Sequence, residues 1–471
     1  MSNTHDVIPS HDCYAGQGDP YCIAVRAPAS LDRDRVEKLL ERERSRYVDT
    51  TPASRRAFES ARRFVAGGVT SSFQAHAPHP LYLEGGRGAR VQSVDGTELV
   101  DFHMGYGTMV VGHAHPRLQR VLRESAGRAT HLGAPTLDSL PVAEELQRRF
   151  GLERWRFCNS GTEATMAGLR LARAATGRQL LVKIVGVYFG HHDPVMTPPA
   201  RGEPDPGVLA EMGLATQPPT LQVPFNDVPA LERVISEHGA DIACLLLELP
   251  MLAPFPCLPA PGYVEAVRAL TREHEVLLLL DEAKTGVTIA AGGATELYRP
   301  EADIVTLAKA IGGGLPIGAI GATEVLMARV ADGQPPIYGT FNGNPLVMAT
   351  SAVALTEILT PTAYQGLGEL GRFLGDSLRE IAVAAGLPAT VVTAGSRGGI
   401  CMTAEPVSDY WEWERLRDVD LTELLWLYQV NRGVYLSPAP RLHWTLSTAH
   451  TADDVNLFVA NLAAASEELA A

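Results

Sequence analysis

Between residues 179 and 309 the chain alternates two kinds of segment. Four short runs are almost wholly apolar: "QLLVKIV" (179–185), "DIACLLLEL" (241–249), "VLLLLDE" (276–282) and "ADIVTLAK" (302–309). Each is strand-length, and the stretches between them have helical spacing. Strands apolar on both faces and separated by helices predict a parallel sheet covered on both sides. Earlier, "PLYLEGGRGARVQSVDGTELVDF" (80–102) alternates short β-like runs with "GGRG" and "DGT" turns, the pattern of an antiparallel meander. Residues 31–48, "LDRDRVEKLLERERSRYV", have helical spacing and many charges, and read as a solvated arm. Residues 1–30 read as a loose extension. Beyond residue 346 the pattern predicts long amphipathic helices and a late strand pair near "GVYLSPAPRLHWTLS" (433–447), hence a smaller α+β domain.

The predicted fold class is therefore α/β, with a mostly parallel central sheet and a small domain built from both chain ends. The divisions fall at 1–45 (extension), 46–104 (first part of the small domain), 105–345 (large domain) and 346–471 (second part of the small domain). Composition agrees: 46% hydrophobic and 20% charged residues match a soluble globular enzyme. A net charge of -14 argues against binding nucleic acid or an anionic membrane, both of which need basic surface. No apolar run is long enough to span a bilayer, and the polar first residues hold no signal-peptide core, so the expected location is the cytoplasm. None of the six cysteines forms a CxxC motif, so no metal site is expected; Cys13 and Cys22 are read as free thiols.

Polar residues close two of the apolar runs. In open α/β sheets ligands lie at the carboxyl ends of the strands, and there the pattern delivers Asp281 and Glu282 from one run and Lys309 from another, Asp281 and Lys309 being 28 residues apart, about one helical crossover. A structural salt bridge is one reading of that pair. A third element, "FCNSGTEATMAGLRLARAATG" (157–177), runs from a strand through Ser160, Gly161 and Thr162 into a helix. Free amides and a positive dipole end make this an anion seat, although an ordinary N-cap reads the same way. Taken together, an amine, an acid and a phosphate seat describe the needs of pyridoxal phosphate. Lys309 would anchor it as a Schiff base and then act as general base.

The motifs "GGVTSSFQAHAPHPLYLEGGRGARVQSVDGTELVDF", "GHAHP", "GAPT", "CNSGTEATMAGLRLARAATGR", "VYFGHHD", "DEAKTG", "LAKAIGGGLPIGAIGA" and "GTFNGNP" come in an order that resembles the class III pyridoxal-phosphate aminotransferases of fold type I, and within them the glutamate-1-semialdehyde aminomutase branch. The resemblance implies that Ser160, Gly161 and Thr162 hold the phosphate, that Tyr188 stacks on the cofactor, and that Asp281 meets its pyridine nitrogen. It also implies that Ala283 lines the ring, that Lys309 is the Schiff-base lysine, and that Thr340 reaches the phosphate of a neighbouring subunit. A homodimer with active sites at its interface follows from that last role. Glu248 matches an acidic position of the family, read as supporting the site from behind.

Several positions depart from the pattern. Gln74 stands where the branch carries a carboxylate-binding arginine, and Gln offers neither charge nor a forked donor. Ala283 replaces a common valine, Lys284 an uncharged residue, and Thr288 an arginine; Lys284 reads as solvated. Phe189 takes a place that is often histidine, with His191 and His192 following as candidates to touch substrate. Arg397 and Arg441 are candidates to replace the lost carboxylate grip, and "GTFNGN" and "SPAPR" are similar to a branch acting on β-amino acids. The expected activity is transfer of an amino group between an amino acid (β-amino acids included) or an amine and a keto acid or aldehyde. An intramolecular aminomutase and a racemase or epimerase use the same residues.

Overall fold

The computed structural model describes residues 7–8, 21–25, 31–201, 204–214, 220–403, 405–437 and 441–470. Cys13 lies outside them, as does the side chain of Cys22. The chain divides into two units, one of residues 1–115, 365–407 and 413–471, the other of residues 116–364 and 408–412. The boundary falls after Tyr364 and not at 345, because the helix Pro345–Val353 packs on the helices Pro116–Arg128 and Ser139–Phe150 of the second unit.

The second unit is built on a seven-stranded sheet. Its order is Arg154–Cys158, Gly318–Ala322, Ile304–Ala308, Leu277–Glu282, Ile242–Leu247, Leu180–Ile184 and Thr220–Val223. The four apolar runs are all strands of this sheet, and they pair in parallel with their neighbours among themselves. Ile242–Leu247 is buried at every position, as a strand covered on both faces must be. One strand runs the other way: Gly318–Ala322 is antiparallel to both Ile304–Ala308 and Arg154–Cys158. Glycine is a poor strand former, so this strand carries little sequence signal. The glycines are there for packing. A Cβ on Gly321 would lie 2.6 Å from the Trp155 ring, so only bare backbone passes between the two strands.

The first unit holds two smaller sheets. The meander appears as Leu83–Arg87, Arg90–Ser93 and Glu98–Asp101, antiparallel, with Val434–Tyr435 added in parallel. A five-stranded antiparallel sheet orders Val7–Ile8, Tyr21–Val25, Ala389–Ala394, Arg397–Met402 and Leu442–Thr445. Two expectations change here. Tyr21–Val25, read as loose, pairs with Ala389–Thr393, and the late strand pair is no pair, because its members belong to different sheets.

The charged helix Arg33–Thr50 is not a solvated arm either. Val36, Leu40, Glu43 and Tyr47 are buried at helical spacing and face the helix Val419–Val430. Glu43 occupies the place of a third apolar residue, fully buried. It accepts from Arg432 at 2.9 and 3.0 Å, from Asn431 at 2.9 Å, and from Arg42 at 2.7 Å. Burial alone would raise its pKa; these donors overcome that and bring it to about 2. A buried ion pair that loses one partner costs about 3–5 kcal/mol. We therefore expect Glu43→Gln to lower stability at neutral pH by about 3 kcal/mol in urea unfolding. Because the folded pKa is depressed, the wild-type advantage is complete above the ordinary value of 4.5 and is lost as the pH falls toward about 2. A Glu43→Gln protein as stable as wild type at pH 7 contradicts the role given to the pair.

Candidate active site

In the second unit, chemistry gathers at one edge of the large sheet. Lys309 follows Ile304–Ala308, Asp281 is the next-to-last residue of Leu277–Glu282, and Glu248 follows Ile242–Leu247. Ser160 lies two residues past Arg154–Cys158. The reversed strand enters at the same edge, so that Cys158, Gly318 and Ala308 form one rung. Adjacent strands lie about 4.8 Å apart, which brings Ser160 and Lys309 to opposite sides of one narrow stretch. Lys309 has φ +52°, a left-handed conformation rare outside glycine and concentrated at functional sites. Gly313 and Gly314 continue the turn at φ +57° and +101°.

Asp281 is 7% exposed and stands across from Thr306 on the neighbouring strand. Its Oδ1 accepts from the Thr306 hydroxyl at 3.0 Å and from the Ala283 amide at 2.9 Å. Burial raises its pKa, while the Ala283 amide, the Lys309 charge and Thr306 act the other way. Glu282, one residue on, points to the opposite face. There it accepts from the amides of Ala294 and Thr295 and from the Thr295 hydroxyl, with burial pushing its pKa up to about 7. Of two adjacent acids, only Asp281 faces the functional edge.

The segment expected to seat an anion is the start of the helix Gly161–Thr176. Ser160 Oγ accepts from the Glu163 amide at 3.1 Å, and the Ser160 carbonyl accepts from Ala164 at 3.0 Å. The two earliest helical amides, of Gly161 and Thr162, remain as donors at the positive end of the helix dipole. A Cβ on Gly161 would sit 3.3 Å from the Cβ atoms of both Ala283 and Ala308, and one on Gly318 would sit 2.2 Å from the Ser160 carbonyl. The helix end is thus pressed onto the strands that carry Asp281 and Lys309, and Ala283 is part of that contact. So the N-cap and the anion seat are one structure.

The loop after Leu180–Ile184 crosses this helix end. The Phe189 carbonyl accepts from Thr165 Oγ1 at 2.7 Å, and the His191 amide donates to Thr162 Oγ1 at 3.0 Å. A Cβ on Gly190, φ +114°, would lie 3.0 Å from the Thr162 Cα. Tyr188 is 43% exposed while Phe189 is buried. His192 lies 3.2 Å from Thr165 Oγ1, and burial lowers its pKa to about 4. It serves the packing of the helix, whereas His191 is exposed.

Thr340 is exposed in a loop whose Asn342 accepts from Asn159 Nδ2 at 2.9 Å. Tyr338 and Phe341 of that loop are also exposed. In the first unit, the Gln74 side-chain oxygen accepts from the amide and hydroxyl of Thr70, at 3.1 and 2.9 Å. Arg397 is 4% exposed and donates to Thr445 Oγ1 at 3.2 Å and to the Tyr106 carbonyl at 3.4 Å. Gly107, φ +83°, makes room for that guanidinium, since a Cβ there would overlap it. Arg441, exposed, opens the adjacent strand Leu442–Thr445.

Lys284 departs from its expected solvation: it is half-buried, and Nζ donates to the Leu252 carbonyl at 2.7 Å. Lys183 is a residue the sequence reading passed over. It is 3% exposed within an apolar strand, and its ammonium donates to the carbonyls of Val195 and Thr197 at 2.8 and 2.7 Å. Burial brings its pKa down to about 8. A lone lysine in an otherwise apolar run was the available signal.

A model of class III aminotransferases matches residues 72–440. A glutamate-1-semialdehyde 2,1-aminomutase of Persephonella marina is 36% identical over 85% of this chain and 95% of its own. The crystal structure of a glutamate-1-semialdehyde aminomutase from Pseudomonas aeruginosa PAO1, in complex with PMP, superposes with a TM-score of 0.85 at 31% identity, covering 94% of this chain and 100% of that one. A β-phenylalanine aminotransferase from Variovorax paradoxus has a TM-score of 0.83 at 30% identity, covering 91% and 97%.

Lys183 fastens the far end of the loop that carries Tyr188. Replacing it by methionine removes the donor of two carbonyls, a cost of about 1–3 kcal/mol. Lys183→Met should lower the unfolding free energy by that amount and speed hydrogen exchange in residues 186–197. Unchanged exchange in that loop would show that Lys183 does not fasten it.

Proposed function

This chain belongs to the class III aminotransferase family, of fold type I with pyridoxal 5′-phosphate as cofactor, and from that premise we propose that it transfers an amino group between an amino acid or amine and a keto acid or aldehyde. The observation that carries the reading is the convergence of Lys309, Asp281 and the helix end at Ser160–Thr162 on one sheet edge. The residues fit the group. Amides of Gly161 and Thr162 suit a phosphate, and the buried Asp281 carboxylate suits a protonated ring nitrogen.

When bound, the cofactor supplies an electron sink for the carbon that bears the amine. Each protein group then has a defined task. Asp281, aligned by Thr306 and Ala283, holds the ring nitrogen protonated. Lys309 would hold the cofactor and its amine would then serve as the general base that moves the substrate proton. Tyr188 would be the aromatic side chain beside the ring. Its loop is fixed by the Phe189 carbonyl and the His191 amide.

Transfer between two molecules is favoured over intramolecular exchange by the substrate-facing differences. Gln74 spends its oxygen on Thr70 and offers no cation. Arg397 and Arg441 are the candidates to take over the carboxylate grip that Gln74 cannot supply. The second reading, an aminomutase, is favoured by relatives of that name at 36–37% identity.

One spectrophotometric experiment separates these readings. Wild type loaded with pyridoxal phosphate should absorb at about 410–430 nm, the range expected for the cofactor imine. Lys309→Ala should lose that band. An amino donor alone should convert wild type to the pyridoxamine form, and a keto acceptor should restore it. Quantitative conversion of glutamate-1-semialdehyde to its isomer without any acceptor would instead favour the aminomutase, and a wild type that never forms the band refutes both.

We also propose a homodimer in which Thr340 serves the partner's phosphate seat. Tyr338 (90% exposed) and Phe341 (58%) flank Thr340, and Leu132, Leu137 and Leu140 are exposed as well. Light scattering should give twice the chain mass of 50.5 kDa. Thr340→Ala should weaken cofactor affinity about tenfold, the loss of one charge-assisted hydrogen bond. A monomer with full cofactor affinity contradicts the proposal.

A further inference from the structure

Glu248 and Lys284 bind the two sides of one residue's backbone, the N–H and the C=O of Leu252. Glu248, 6% exposed, accepts from the Leu252 amide at 3.1 Å, and Lys284 donates to the Leu252 carbonyl at 2.7 Å. Glu248 follows Leu247, whose register partner is Leu280, and Asp281 follows Leu280. The two carboxylates therefore stand side by side on adjacent strands. Alone there, they would repel, and each would be pushed toward its neutral acid. Lys284 stands three residues past Asp281, in the same turn, where a second cation offsets the second acid.

Resting on the cofactor reading above, we propose that Glu248 and Lys284 form a charge pair that sets how firmly the nitrogen of Lys309, once joined to the cofactor, holds its proton. The charged groups facing Glu248 are Lys284, Asp281 and Lys309. Burial favours its neutral form, and Lys284 is the strongest influence the other way, ahead of the Leu252 amide and Lys309. Burial prevails and brings Glu248 up to about 7, so above that pH, where it is ionised, the pair is close to neutral as seen from Lys309. Neutralising Glu248 removes that negative charge from beside Lys284 and so opposes a proton on the Lys309 nitrogen in a site of low dielectric. Both are positioning residues acting through Lys309. A lysine fits this task better than the uncharged residue common at its place, since its long stem reaches the Leu252 carbonyl and its charge is compact.

The test is a pH titration of the visible absorbance of the loaded protein, compared among wild type, Glu248→Gln and the double variant Glu248→Gln/Lys284→Met. Glutamine keeps the shape and an acceptor for the Leu252 amide, so folding is retained; far-ultraviolet circular dichroism checks this. The midpoint of the cofactor band should fall by about one pH unit in Glu248→Gln, as expected for one unbalanced charge nearby. The double variant should return to within about 0.3 units of wild type. A Glu248→Gln protein that titrates as wild type overturns the pair, and so does a double variant that keeps the whole shift. Those failures leave the cofactor reading intact, because the band still forms. A wild type with no band overturns the cofactor reading and this inference together.

Discussion

A carboxylate at the end of an apolar strand is the feature on which the rest of this site depends. Asp281 sits in a sheet whose neighbouring strand ends are buried, where an ionised group is costly unless it is bonded. It is kept there by a hydroxyl from the next strand and an amide from its own turn, and by the charge of Lys309. Each of these depends on the parallel register. Thr306 faces Asp281 only because the strands Leu277–Glu282 and Ile304–Ala308 pair as they do. A slip of one residue would turn Asp281 to the face that Glu282 now occupies.

The same register explains the bare backbone around the site. The helix Gly161–Thr176 can present its first amides to a ligand only if it approaches the strands closely, and glycine at 161 and 318 permits that approach. The loop at 186–197 is then held from two sides, by Thr162 and Thr165 of the helix and by Lys183 of the strand before it. Three lysines thus stand in three separate settings within a few strands: Lys309 in a left-handed turn at a strand end, Lys183 bonded to a loop, and Lys284 bonded to the Leu252 carbonyl. A sequence shows three lysines, and only their neighbours tell them apart.

The large sheet was legible because its strands are buried on both faces. That leaves continuous apolar runs, and the residues closing them carry the function. Legibility failed where burial was partial or came from elsewhere. The helix Arg33–Thr50 looks solvated, since only four of its residues face the core and one of them, Glu43, is charged. Its burial is explained by Arg432 and Asn431, nearly four hundred residues away. The strand Gly318–Ala322 looks like a loop because packing against Trp155 requires glycine, which strand propensity disfavours.

From the sequence alone followed the parallel sheet, the strand-end positions of Asp281 and Lys309, and the helix start at Ser160–Thr162. These follow from local patterns: runs of apolar residues, the polar residue that ends each, and small hydroxyl residues opening a helix. Left to the tertiary structure were which of Asp281 and Glu282 shares a face with Thr306, which strand runs backward, and that Lys284 and Glu248 both bind the backbone of Leu252. Each of those is a pairing between segments distant in the chain, and a one-dimensional pattern holds no record of which surfaces will meet.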